Sequence, residues 1–275
     1  MPTPFALGAH PSPADHRDLI ITDILRTAGP LPDRFVWSPL GPVLNQGNKP
    51  QCVAYAFAGM KNAQELRETG GPARPVFDED WFYAECKRID GIAGDGTTGR
   101  AACQVAQKLG YRTRGHADEA SWRIAAYYGV PLDWDVLRRA LMEYGPIPIS
   151  SAWYGNWFSN LLLPNRILPE PKGDPVGGHE TLLIGWDARR LAGSPHVGHL
   201  IVRNSWGTAN NGATNIAGNF YFPWDLFRAH IGWDAFKTVD VQGDVPGRKA
   251  PEPTPAPAPT PAKARFFFPW RATPK

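Results

Sequence analysis

The sequence predicts an α+β fold, in which helices come first along the chain and strands follow. Helix-type patterns lie before Gly145, and the apolar runs typical of strands begin at Pro146. With 275 residues, of which 43% are hydrophobic, the chain can bury one large core or two lobes. We therefore expect a helical lobe over residues 37–150 and a β-rich lobe over residues 151–244.

Four segments of the first half carry helical patterns. The longest begins at Cys52, where CVAYAFAGMKNAQELRE is free of proline and is closed by Gly-Gly-Pro at 70–72, which predicts about five turns. The acidic cluster at 78–80 precedes the second helix, where helix capping is favoured over paired-carboxylate catalysis. The other segments are DEDWFYAECKRID, AACQVAQKL and DWDVLRRALMEYG.

Strand patterns follow in the second half. PIPISS begins it, an alternating run TLLIGW comes after His179, and HLIVR ends at Asn204. FYFPW completes the set. The two glycines before His179 let another backbone or a substrate approach closely, so Gly178 is a predicted substrate-binding residue.

The two ends of the chain differ in composition from this core. Residues 1–36 form a Pro-rich lead. Residues 245–275 contain GRKAPEPTPAPAPTPAKA, which predicts an extended polyproline-like spacer, and they end in the aromatic run FFFPW. One hypothesis is that FFFPW docks on a partner or on this protein's own surface, and the alternative is a tail without a fixed structure.

Three residues stand in surroundings that suit nucleophilic catalysis. Cys52 is predicted at a helix N-terminus, where unpaired N–H groups favour a thiolate and can face a developing oxyanion. Gln46, six residues upstream, offers an amide donor to the same oxyanion. His179 is a candidate base, and the side-chain carbonyl of Asn204 can accept one imidazole proton, which leaves the other nitrogen for sulfur. Trp206 is predicted to shield that hydrogen bond.

Three blocks, VLNQGNKPQCVAYAFA, GGHETLLIGWD and RNSWG, resemble those of the papain-like cysteine peptidases, in the order Cys, His, Asn. The resemblance, to a bacterial or phage-type member without a large propeptide, implies a two-lobe fold with the cleft between the lobes. It implies that Cys52 is the nucleophile, His179 the general base and acid, and Asn204 the residue that orients His179. Gln46 is implied as the oxyanion donor. An apolar preference at the second substrate residue before the cut is also implied.

The chain departs from the family near the nucleophile. Lys49 stands where many members have a half-cystine, so the local disulfide is absent, and Val53 replaces a tryptophan. The segment DGTTGRAACQVAQKLG resembles the stretch that follows a substrate-binding loop in bacterial relatives. By that alignment Gly94, Asp95 and Gly96 border the unprimed side of the cleft; a plain turn before a helix is the alternative.

The remaining cysteines and histidines predict no further chemistry. Cys86 and Cys103 lie in amphipathic segments, where buried free thiols are favoured over a disulfide or a metal site. His196 and His199 form HVGH without a third ligand candidate, so a solvated loop is favoured over a metal site. We expect no metal and no cofactor.

The sequence thus predicts a cysteine peptidase that hydrolyses peptide bonds through a Cys thioester. The alternatives are a catalytically silent papain-like module for binding or assembly, and a thiol transpeptidase that uses the same trio. The expected partner is a peptide or protein substrate, beside the docking partner of the tail. A net charge of +3 without a basic block does not favour nucleic acid.

The localisation expected from the sequence is cytoplasmic synthesis. The first residues have no positively charged start and no apolar core, so no signal peptide is expected, and no apolar run reaches membrane-spanning length. Signal-independent export, or packaging into a virion or another particle, is compatible with this prediction.

Overall fold

A computed structural model describes residues 5–69, 77–115, 122–160, 166–208 and 218–240. The predictions for the spacer and the FFFPW run at 245–275 lie outside the described residues. None of the helices in the described ranges is long and apolar enough to cross a membrane.

The first half of the chain is mainly helical. Its long helix runs over 18 residues, the five turns that the sequence predicts. Asp78 caps the second helix by accepting a hydrogen bond from the Trp81 amide at 3.0 Å, and Thr98 caps the third through the Ala101 amide. The helices are α1 (Cys52–Thr69), α2 (Glu79–Ile89), α3 (Gly99–Lys108), α4 (Trp134–Tyr144), α5 (Gly155–Asn160) and α6 (Trp224–Leu226), the last continued by a π-turn (Phe227–Ile231).

The described strands form one large antiparallel sheet and one small parallel pair. They are β1 (Ala9–His10), β2 (Arg34–Val36), β3 (Thr97–Thr98), β4 (Ile124–Gly129), β5 (Ile147–Tyr154), β6 (Pro175–Arg190), β7 (Val197–Arg203), β8 (Asn219–Pro223) and β9 (Gly232–Asp240). The large sheet has the order β4-β9-β5-β6-β7-β8, with β2 also paired to β6. Strands β1 and β3 form the parallel pair.

The sheet carries apolar side chains on both faces, so it takes part in two cores. Leu182 and Phe236 pack on one face with α1, α2 and α3, and this core includes Cys52 and Cys103. The opposite face packs with α4 and α5 and holds most of the tryptophans, including Trp206. Burial on both faces explains why β6 reads as a nearly continuous apolar run.

Two elements that precede residue 150 belong to the β-rich side of the molecule. Helix α4 packs its buried residues, Leu137 and Leu141 among them, into the core of the β-rich side. Strand β4, which also precedes residue 150, pairs with β9 at the edge of the sheet. An amphipathic pattern shows which face of an element is buried, but it does not show which other element covers that face. The order of elements along the chain therefore does not show to which side of the molecule each belongs.

The Pro-rich lead also belongs to the folded structure. Its β2 pairs with β6, and its 3-10 turn (Ile21–Asp23) buries Ile21 against the core that contains α4. Residues 5–10, which we call the strap, lie between the two sides of the molecule. They place β1 against β3 at one end and Phe5 in the tryptophan-rich core at the other.

Candidate active site

Cys52 is the first residue of α1 and is fully buried. Its Sγ accepts a hydrogen bond from the amide of Glu180 at 3.4 Å, so the thiol lies beside the residue that follows His179 on β6. Burial raises the pKa of the Cys52 thiol to about 12, although the Glu180 amide acts in the opposite direction. In this structure the sulfur is therefore a neutral thiol.

His179 and Asn204 form the hydrogen bond that the sequence predicts. The imidazole Nε2 lies 2.9 Å from the side-chain carbonyl oxygen of Asn204. That oxygen also accepts the Ser205 amide at 2.8 Å, which fixes the Asn204 side chain as an acceptor. Nε2 consequently carries the proton, and Nδ1, which has no hydrogen-bond partner among the described residues, is the basic nitrogen.

Aromatic rings enclose the imidazole. Trp206 stacks on it with ring centroids 4.7 Å apart, and Trp153 meets it edge-on at the same distance. The bond between His179 and Asn204 is buried beneath these rings, and the shielding role of Trp206 stays a prediction. Burial lowers the pKa of His179 to about 4, against the effect of the Asn204 hydrogen bond. The imidazole is neutral, like the thiol.

Gln46 is held in a fixed orientation near the thiol. Its Oε1 accepts a hydrogen bond from the Ser205 hydroxyl at 2.5 Å, so Nε2 must be the end that points away from Ser205. Nε2 donates to the Lys49 carbonyl at 2.7 Å and to the Ala6 carbonyl of the strap at 3.1 Å. The predicted oxyanion donor therefore binds a backbone carbonyl oxygen in this structure.

The strap runs through the site as an extended chain. Phe5 stacks on Trp206 with centroids 4.4 Å apart and rings nearly parallel. The Gly8 amide donates to the Gly178 carbonyl at 3.1 Å, and it also reaches the Cys52 thiol. The Gly8 carbonyl in turn accepts the Thr97 amide at 2.9 Å. Backbone groups of the strap thus form hydrogen bonds with residues on both sides of the site.

The strap fits so closely that glycine is required at Gly8. A Cβ on Gly8 would lie 2.1 Å from the Pro50 carbonyl oxygen, a distance that no real side chain tolerates. A Cβ on Gly178 would likewise lie 2.1 Å from the Ala9 carbonyl oxygen. Gly178 therefore allows an extended chain to approach, the property that sequence analysis expects of it.

The loop of Gly94, Asp95 and Gly96 lies at the far end of the strap. The Asp95 carbonyl oxygen lies 2.9 Å from the His10 ring nitrogen, and a Cβ on Gly96 would meet the Gly8 carbonyl at 2.7 Å. Gly94 has a positive φ of 81° and a Cβ there would meet open space, so its glycine serves the turn rather than a contact. Asp95 and Gly96 thus contact the strap, and their role in substrate binding stays a prediction.

Sequence analysis missed two features of the site. The composition of residues 1–36 predicts a lead ahead of the core, although small residues such as Gly8 and Ala9 beside Phe5 are a signal of close backbone approach. The second feature is Glu180, whose signal is a carboxylate within the apolar run after His179. Its carboxyl is buried, and Ser150 donates a hydrogen bond to it.

The other cysteines and histidines have structural partners. Cys86 and Cys103 are buried free thiols, as predicted. His196 Nδ1 lies 2.7 Å from an Asp225 carboxylate oxygen, and His199 Nε2 lies 2.8 Å from the Ser194 hydroxyl. Within the described residues, no group of three or more His, Cys, Asp or Glu side chains could hold a metal ion.

Comparison with known proteins identifies the fold. Xylellain, a cysteine protease from Xylella fastidiosa, superposes with a TM-score of 0.69 at 22% identity, over 87% of this chain and 98% of that one. The chain has the papain-like fold. The Trypanosoma congolense proCathepsin B S9 matches at a TM-score of 0.65 and 17% identity, over 86% of both chains.

A third papain-like structure, the ragweed pollen allergen Amb a 11 in its proform, matches at a TM-score of 0.60 and 20% identity, over 79% of this chain and 68% of that one. No family model and no curated protein matches the sequence. The α+β, two-lobe papain-like fold expected from the sequence is therefore confirmed by the similar solved structures.

Proposed function

We propose that this protein is a cysteine peptidase that hydrolyses peptide bonds through a Cys52 thioester. The observation that carries the proposal is the hydrogen bond between His179 Nε2 and Asn204, which leaves Nδ1 as the basic nitrogen. The next residue on the strand, Glu180, binds the Cys52 thiol through its amide. A papain-like fold around this arrangement, and the cysteine proteases among similar structures, support the same activity.

The chemistry follows from these positions. His179 Nδ1 takes the thiol proton while Sγ attacks the substrate carbonyl carbon, and the positive charge on the imidazole is supported by the Asn204 oxygen. Gln46 Nε2–H and the Cys52 amide hold the oxyanion. When the C–N bond breaks, His179 gives its proton to the leaving amine, and it then activates a water that hydrolyses the thioester.

The strap makes the described form a closed one. The Ala6 carbonyl of the strap accepts Gln46 Nε2–H, where a substrate carbonyl would bind, and the Gly8 amide donates to the Gly178 carbonyl, where a substrate amide would bind. A substrate therefore enters only after the strap leaves. With Gly94, Asp95 and Gly96 on the unprimed side, the strap runs in the opposite chain direction to a substrate and is not itself positioned for cleavage. Two of the similar structures are named as proforms, which fits a closed form here.

Covalent labelling tests the proposed activity. We would use a short peptide that carries a vinyl sulfone and follow intact mass between pH 4 and 9. The proteins are the full chain and an opened variant, Phe5→Ala with Gly8→Ala, whose strap is destabilised. We expect labelling at Cys52 alone, at least about 10²-fold slower in His179→Ala because the base is lost.

The pH profile adds a second readout. In the full chain labelling should keep rising to the highest pH, because the buried thiol has its pKa raised to about 12. In the opened variant water solvates the thiolate, so labelling should be faster and level off at lower pH. Slow labelling of all three cysteines, indifferent to His179→Ala, would rule out an activated nucleophile and favour the binding module.

Replacing Gln46 with alanine is expected to lower kcat of the opened variant by about 10²- to 10³-fold, the usual cost of one oxyanion donor. The loss should fall on kcat more than on KM, because the amide binds the oxyanion better than the substrate carbonyl. Steady-state hydrolysis of a fluorogenic peptide measures both. Ser205→Ala, which frees Gln46 Oε1 without removing the donor, should have a smaller effect.

Hydrolysis and transpeptidation share the acyl-enzyme, so the trio supports both. Product mass separates them, because hydrolysis adds one water to the acyl product and transfer adds an amine. We propose hydrolysis because no feature of the described cleft is reserved for an amine acceptor. An amine-adduct product formed in preference to the free acid, at low amine concentration, would reassign the protein to transfer.

A further inference from the structure

The side chain of the strap residue Ala9 is buried between the two sides of the molecule, so departure of the strap would leave a pocket there. Its side chain is 3% exposed and lies in the core that contains Cys52, Cys103 and Phe236. Its backbone pairs with Thr97. Gly8 lies over the nucleophile. Ala9 is the next residue of the strap, on the side toward Gly96. Under the proposed function, this is the pocket for the second substrate residue before the cut.

A buried carboxyl group that has no cationic partner among the described residues lies next to the nucleophile. Glu180 is 1% exposed, its amide binds Cys52 Sγ, and its strand partner Ser150 donates the hydroxyl hydrogen bond to its carboxyl. Among the described residues, no basic side chain forms a hydrogen bond or ion pair with Glu180. Burial raises the pKa of Glu180 well above its usual range, and its charge acts on the thiols of both Cys52 and Cys103.

A second carboxyl group lies beside the chain just after the strap. Asp234 on β9 accepts the Ser12 amide at 2.7 Å, two residues beyond the strap, and its charge acts on Glu180. The positive charge of Arg100 acts on Asp234, but the Arg100 guanidinium forms its hydrogen bonds with Asp18 and the Pro13 carbonyl. When the strap leaves and Ser12 moves with it, Asp234 loses that partner, whereas Glu180 keeps its hydrogen bond with Ser150.

We propose that Glu180, assisted by Asp234, makes the cleft select peptides with an arginine or lysine side chain at the second residue before the cut. This inference rests on the proposed function for the position of the cut. It replaces the apolar preference that the family resemblance implies. A long basic side chain would enter the pocket that Ala9 vacates, with its cationic end toward the Glu180 carboxyl group.

The physical reason is the cost of a buried carboxyl without a cation. Beside an aliphatic side chain Glu180 must stay protonated, whereas a guanidinium allows it to ionise and to accept charge-assisted hydrogen bonds. Such bonds correspond to a preference of about 10- to 100-fold over a neutral group of equal size. Asp234 adds long-range attraction.

The experiment compares three peptides that are identical except at this residue, which is arginine, its neutral isostere citrulline, or leucine. Binding is measured by calorimetry on the opened variant that also carries Cys52→Ala, and kcat/KM on the opened variant itself. We expect arginine to exceed citrulline by at least about tenfold in both. In Glu180→Gln the ratio should fall to near one, and in Asp234→Asn it should fall partly.

Glu85→Gln is the matched control, since Glu85 is also buried but pairs with Arg88 on α2, and its ratio should not change. Equal or weaker binding of the arginine peptide, or a ratio untouched by Glu180→Gln, would overturn the inference. Arginine-selective binding without cleavage of any peptide would keep it and refute the proposed peptidase. Gly8→Ala alone, which retains Phe5, replaces the opened variant if the double substitution does not fold.

Discussion

The full chain with Phe5→Ala and Gly8→Ala is expected to show a peptidase activity about 10²-fold higher than the unsubstituted chain. Phe5 is buried and stacks on Trp206, and truncating a buried phenylalanine costs about 3 kcal/mol, which is about a 100-fold change in an equilibrium constant. That loss falls on the closed form, because Phe5 contributes its contacts only when the strap is seated. The measurement is the initial rate on a fluorogenic peptide at low substrate concentration.

Gly8→Ala adds a steric reason for opening. The new Cβ would lie 2.1 Å from the Pro50 carbonyl oxygen, which belongs to the backbone before α1 and cannot move aside easily. The strap must then shift, and the Gly8 hydrogen bonds to Gly178 and Thr97 are lost together. An activity unchanged by both substitutions would mean that the strap does not control access to Cys52.

The matched control is Gly129→Ala. Gly129 lies on β4, has no positive φ, and its added Cβ would meet only ordinary contacts at 3.7 Å and beyond. It tests whether any glycine-to-alanine change raises activity through general loosening. Thermal unfolding of each variant shows whether a gain in rate accompanies a retained fold.

The residues proposed to be catalytic could be found from the sequence because each has its own local signal. Cys52 opens a segment whose composition alone predicts a helix, so its position at an N-terminus follows without tertiary information. His179 and Asn204 stand at strand boundaries that glycine and apolar alternation mark. Their contact is long-range, yet the sheet register that pairs β6 with β7 brings the two strands together.

The strap could not be proposed in the same way. Residues 5–10 contain only two residues of regular strand, and their conformation is stabilised by Gly178, Thr97 and Trp206, which are far away in the sequence. A short segment of this kind has no periodicity to detect. The need for glycine at Gly8 arises from the Pro50 carbonyl across the cleft, a contact that exists only after folding.

Glu180 could be recognised only in part from the sequence. The carboxylate in GGHETLLIGWD contradicts the apolar run around it, and such local contradictions tend to mark functional positions. Its neighbours in space, Ser150 from β5 and Asp234 from β9, come from strands that only the sheet order brings next to it. The sequence therefore shows that the residue is unusual, and the structure shows that its carboxyl group is buried and bound by Ser150.

Replacing Cys52 with alanine in the opened variant is expected to lower kcat by roughly 10⁴- to 10⁶-fold, the range found when a catalytic nucleophile is removed. The remaining Gln46 and His179 still polarise a bound peptide, so peptide binding should persist while turnover is lost. Steady-state kinetics and calorimetry on the same preparation measure the two quantities. Alanine is small and apolar like the buried thiol, so the fold should be retained.

Cys103→Ala is the control that separates chemistry from packing. Cys103 is as fully buried as Cys52 and belongs to the same core, but it lies on α3 and has no contact with His179. Both substitutions remove one buried thiol from that core, so their costs in the free energy of unfolding should be similar. Only Cys52→Ala should abolish turnover, because that sulfur is the proposed nucleophile and accepts the amide of Glu180, the residue after the proposed base His179. A Cys52→Ala variant that still hydrolysed peptides would place the activity outside this site.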